Sequence, residues 1–109
     1  MNMKVNKVIR LYPGHSLAFM CETDADTVWK WHVEEAQPNL DQLERLVQLN
    51  EIHEVISSDW GDSAAVFYLS VYRHQFLGYR TIIEAIFHDM YIEAMAHIRA
   101  AFANIQKEK

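Results

Sequence analysis

From Pro38 onward apolar residues return every three or four positions, a period that only α-helices satisfy, so most of the chain is committed to helix. Pro38-Asn39-Leu40-Asp41-Gln42 opens the first of them. Asn39 is the N-cap, Gln42 is placed to reach back to it, and Asp41 sits near the positive end of the helix dipole. Leu40, Leu43, Leu46 and Val47 form one stripe opposite Asp41, Arg45 and Gln48. Ile52, Val55 and Ile56 lie about 140° further round at about 100° per residue, which predicts a break or kink near Asn50. Ser57 to Ser63 reads as a loop, with Asp62 or Ser63 capping the next helix. Ala64 to Leu77 is apolar nearly all round and is expected at the centre, with Gly78 ending it or marking a close crossing. A last long helix from Tyr79 to Gln106 carries Tyr79, Ile83, Ile86, Met90, Ala94, Ala101 and Ile105 on one stripe.

The first third reads differently. Thr27-Val28-Trp29-Lys30-Trp31-His32-Val33-Glu34 alternates and is rich in β-branched and aromatic residues, the pattern of a strand. Upstream, Lys4 to Tyr12 and Ser16 to Glu22 flank Pro13-Gly14, a pair suited to a type II turn, and Thr23-Asp24-Ala25-Asp26 supplies a second turn. The expected fold is therefore α+β: a three-stranded antiparallel β-meander over residues 1–36 packed on three C-terminal helices over residues 38–107, in a single domain spanning 1–109. One sheet face collects Val5, Ile9, Leu11, Ala18, Met20, Trp29, Trp31 and Val33. The other holds Arg10, Cys21, Lys30 and His32 together with five apolar or aromatic residues, Val8, Tyr12, Leu17, Phe19 and Val28, and is more apolar than a solvated face should be. A covering helix or a register slipped by one accounts for it, and otherwise these five residues are a self-association surface of a homodimer.

Charge is segregated as sharply as hydrophobicity. Residues 22–62 hold eleven acids and two bases (11 − 2 gives −9), the rest four acids and eight bases (8 − 4 gives +4), which sum to the net −5. Asp24, Asp26, Glu34, Glu35, Asp41, Glu44, Glu51, Glu54, Asp59 and Asp62 are the candidate partner-binding residues, with Trp60 as an aromatic anchor among them. Gathered on one side they would attract a basic protein, including a nucleic-acid-binding one whose groove they could occupy by imitating phosphates, and would repel nucleic acid itself. Lys4, Lys7 and Arg10 make only a small basic edge. The single cysteine, Cys21, precludes an internal disulfide, and no apolar run approaches a signal peptide or a membrane span; a cytoplasmic protein without membrane contact is expected.

Catalytic chemistry has thin support. Asp89, Glu93 and His97 follow each other at i, i+4 and i+8 and would stack along one helix edge, where His53 or His74 could complete a metal site or a general base. His88-Asp89 downstream of His53 is a fragment of the ligand pattern of helical metal phosphohydrolases, but Asp89 is the last aspartate and the later ligand is missing. Cys21 has no partner that would activate it, and three glycines build no phosphate loop. The expectation is a non-catalytic protein without cofactor or metal, acting on another protein as an inhibitor or regulator through its acidic surface. A metal-binding protein or hydrolase using Asp89, Glu93 and His97, and a self-assembling structural subunit, are the alternatives.

Overall fold

Asp24 starts a helix, not a turn: its carboxylate accepts from the Thr27 backbone N–H at 2.7 Å, which is N-cap geometry. This local choice recurs through the first third of the chain. The computed structural model describes residues 3–107, with the side chains of residues 3, 4 and 103–107 outside the described ones, and every main element among them is helical. In order they are α1 (Met3–Leu11), α2 (Gly14–Met20), α3 (Ala25–His32), α4 (Leu40–Trp60), α5 (Asp62–Val71), a 3₁₀ turn (Gln75–Leu77), α6 (Ile82–Phe87) and α7 (Tyr91–Lys107). An isolated antiparallel bridge, His74 to Arg80, is the one piece of β-pairing among the described residues.

The expected β-meander is thus replaced by α1, α2 and α3, and burial explains why. Val5, Val8, Ile9 and Tyr12 are all buried, a 3-1-3 spacing that puts them on one helical face. A strand would have split the same four residues between its two faces. The apparent second apolar face of the sheet is an artefact of that split. In α3 the buried residues are Val28 and Trp31, three apart, while Trp29 is 59% exposed, so the alternation of Trp29 with Trp31 does not describe the packing. Pro13 serves as N-cap of α2, its carbonyl accepting from Ser16 and Leu17, and the Pro13-Gly14 pair opens a helix where a turn was expected.

α2, α3 and α6 end in one way. Thr23 N–H donates to Ala18 O, Glu35 to Lys30 O and Met90 to Ala85 O, each closing a Schellman motif with the preceding residue in the left-handed region. Those residues are Glu22, Glu34 and Asp89, at φ 55, 64 and 58°. None is glycine. The last of these stops splits the expected helix from Tyr79 to Gln106 into α6 and α7, and Thr81 opens α6 with a full capping box to Glu84.

α4 runs unbroken from Leu40 to Trp60, opened by the expected Asn39–Gln42 capping box with both bonds at 2.9 Å. There is no break at Asn50. The stripe drifts because α4, not α5, is central: it packs against α1, α5, α6 and α7, and Leu46, Leu49, Ile52 and Ile56 bury themselves toward different neighbours. The expected loop of Ser57 to Ser63 shrinks to Gly61, whose φ of 87° lets α5 start at once. α5 keeps Phe67, Val71 and the following Tyr72 on its outer face, Phe67 at 65% exposure. No helix among the described residues is long and apolar enough to cross a membrane.

Candidate interaction surface

Four carboxylates share the exposed side of α4. Asp41, Glu44, Glu51 and Glu54 all face solvent and fall within an arc of about 140° at about 100° per residue, opposite the buried Leu46 and Leu49. Their compensation is slight. Glu54 accepts from Asn50 Nδ2 at 3.2 Å and Glu51 from the Tyr91 hydroxyl, both neutral donors, and burial together with Glu51 pushes that hydroxyl up to about 12. Arg45, the one base on α4, is engaged by other groups: its guanidinium donates to Met20 O at 2.8 Å and to Glu22 at 3.3 Å and lies 5.8 Å over the Phe87 ring. Asp89 joins Asp41, Glu44, Arg45 and Gln48 around a polar cleft of about 270 Å³.

The other acids of the middle segment do different work. Asp24 is spent on its cap, and the Thr27 backbone N–H holds its carboxyl below the usual range. Asp26 pairs with Lys30 at 3.3 Å on α3. Glu34 and Glu35 are exposed in the connection to α4, while Asp59 is half-buried in its last turn. Trp60 folds back on Phe102 and Tyr68, with ring centroids 4.8 and 6.0 Å away, so it bridges α4, α5 and α7.

Asp62 is the exposed end of a relay that runs into the core. Tyr12 Oη donates to His53 Nδ1 at 2.8 Å, His53 Nε2–H donates to Asp62 Oδ1 at 2.8 Å, and Lys7 Nζ meets the same oxygen at 3.3 Å. Asp62 accepts only, which places the imidazole proton on Nε2 and leaves Nδ1 to receive the tyrosine hydroxyl. The arrangement resembles a catalytic triad in type but not in access. His53 is fully buried, Tyr12 nearly so, and burial drives the Tyr12 hydroxyl far above its ordinary pKa. The relay bolts α1, α4 and α5 together, and neither spacing nor composition signals it, because its members come from three helices.

Of the five residues expected to self-associate, Val8, Tyr12, Leu17 and Val28 are core residues of this chain. Phe19 is 48% exposed and lies on Phe87 at 4.8 Å between centroids. Asp89 lies before α7 in the left-handed region, so the expected row of three is cut to Glu93 and His97, which keep their i, i+4 spacing within α7. Among the described residues no three His, Cys, Asp or Glu side chains converge to hold a metal. Cys21 is buried and its thiol is pushed up to about 12 by that burial.

His97 lies instead in an aromatic cleft of about 610 Å³, walled by Tyr72, His74, Gln75, Phe76 and His97. His97 covers Phe76 at 4.1 Å between centroids, and its ring is 5.5 Å from that of His74. His74 is only 4% exposed and its Nε2 has no hydrogen-bond partner; burial and then the nearby His97 hold its pKa below the ordinary histidine range. No family model, no curated protein and no solved structure matches this chain.

Proposed function

We propose that the protein is a small, non-catalytic, cytoplasmic binding protein that presents the acidic ridge of α4 to a basic protein partner, inhibiting or regulating it. The observation that carries the reading is that Asp41, Glu44, Glu51 and Glu54 share one exposed helix face whose only base, Arg45, is engaged by Met20 O and Glu22. A row of like charges on a rigid helix raises the local potential, steers a cationic surface and sets its register. Basic nucleic-acid-binding proteins offer the matching surface. The cytoplasmic assignment rests on a lone buried cysteine, which leaves the fold independent of oxidation.

The test is capture of partners from native extract at low salt, elution with salt, and measurement of the eluted partner's affinity for the protein and for its E44Q/E51Q/E54Q variant. Exposed charge pairs contribute about 0.2–1 kcal/mol each, so three lost charges should weaken binding about tenfold and flatten its salt dependence. Unchanged affinity and an unchanged salt slope would remove the ridge from the account. A second reading, self-assembly, draws on the outer face of α5, where Phe67 and Val71 stand one turn apart and exposed.

A further inference from the structure

Resting on the reading of a basic partner, we infer that the cleft between α5, the 3₁₀ turn and α7 takes one arginine side chain of that partner, its guanidinium lying on Phe76 where His97 now lies and donating to His74 Nε2. The orphaned nitrogen is the starting point. A buried imidazole atom without a partner is costly, and it is rare enough in folded proteins to require an explanation. His74 is neutral, since its burial and the adjacent His97 disfavour the charged form. With the proton on Nδ1, Nε2 offers a lone pair to a donor.

The walls narrow the class of that donor. Tyr72 and Phe76 offer ring faces, which are negative and attract cations. Among the described residues no lysine or arginine lines the cleft, and the arginines on either side in sequence are occupied: Arg73 on Glu84 at 2.7 Å and on Tyr79 O, Arg80 on Leu77 O at 3.1 Å. A carboxylate or phosphate would meet ring faces and a molecule of net charge −5. A lysine ammonium is a compact, strongly hydrated charge that does not stack. Guanidinium is flat, weakly hydrated and donor-only, and it stacks on aromatic faces while its N–H edge reaches an acceptor. Only this group uses both the rings and the nitrogen.

Geometry also says how it enters. Nε2 is shielded from solvent, but the ring beside it, His97, is an exposed side chain that lies on Phe76 and meets His74 edge-on. Swinging His97 outward frees that face of Phe76 and uncovers the approach to His74. One planar cation replaces another aromatic ring on the same surface. The cleft volume is within the range of sites that enclose small groups.

The experiment titrates the intact protein with arginine amide, lysine amide and citrulline amide, followed by NMR of the histidine, tyrosine and phenylalanine ring signals. Arginine amide should shift His74, Phe76 and His97 saturably, with lysine and the uncharged citrulline isostere at least about fivefold weaker. F76A, at a half-exposed position, should weaken arginine amide about fivefold, whereas H97A should bind as tightly or more tightly because the ring no longer has to leave. Equal response to all three amides, or shifts confined to α4, would overturn the assignment, and so would H97A weakening binding as much as F76A. The two readings fail separately. Selective arginine shifts in the cleft of a protein whose E44Q/E51Q/E54Q variant keeps full partner affinity would sink the ridge alone. Ridge-dependent partner binding with no arginine selectivity would sink the cleft alone.

Discussion

Glu22, Glu34 and Asp89 hold backbone conformations that L-residues other than Asn and Asp visit only at a cost of about 1–2 kcal/mol, and they do so at three helix ends. Glycine at these positions would relieve that strain while losing more entropy on folding. Glu34→Gly, at an exposed site without a packing role, is expected to raise stability by up to about 1 kcal/mol, read as a higher urea midpoint at constant slope. Asp89→Gly should gain less, because Asp tolerates the left-handed region better. Asp62 carries a pH prediction. Its folded pKa is depressed, first by the His53 hydrogen bond and then by Lys7. A depressed carboxylate stabilises the fold above its unfolded pKa, near 3.8, and loses that contribution as pH falls through the folded value. Acid unfolding of Asp62→Asn should therefore show a shallower fall in stability below about pH 4 than the parent chain. Equal slopes would mean the relay contributes nothing through Asp62. The left-handed stops and the relay were both illegible in the sequence, the first because no glycine marks them, the second because its residues are 41 and 9 positions apart.

Helix identity is decided by which residues an element can bury together. α3 is the sharpest case: eight residues with two apolar patterns, period two through Trp29 and Trp31, and helical through Val28 and Trp31. Trp31 is buried against the α1 side, so Trp31→Ala should cost about 3–5 kcal/mol, whereas Trp29→Ala should stay within about 0.5 kcal/mol, both by chemical denaturation. A strand-like pattern would require the two substitutions to cost alike. Caps were the legible part of these elements. Asn39 with Gln42 was read directly, because a capping box is local chemistry and needs no tertiary partner. Asp24 was visible too, but its carboxylate serves a turn or a helix start equally well until the face behind it is known.

At the scale of the whole molecule the acidic row lies on α4 and a bare apolar pair on α5. α4 is enclosed on several sides and open on one, and the open side carries the acidic ridge. α5 lies against it and leaves Phe67 and Val71 bare. If that face pairs copies of the chain, light scattering across a concentration series will show a dimer that F67E/V71E converts to monomer, since burying a charge opposite its own copy is prohibitive. A monomer at all concentrations leaves only the partner-binding reading. Residue chemistry alone determined the helical last two thirds, the Asn39 start, the absence of an internal disulfide and the segregation of acids, because periodicity, capping and charge count are properties of neighbours along the chain. Only the tertiary structure decided that the first third is helical, that α4 and not α5 is the centre, and which acids are free to act. Burial is a relation between distant segments: Val8 counts as core or surface according to what α4 brings against it, and Asp62 as ridge or relay according to where His53 lies.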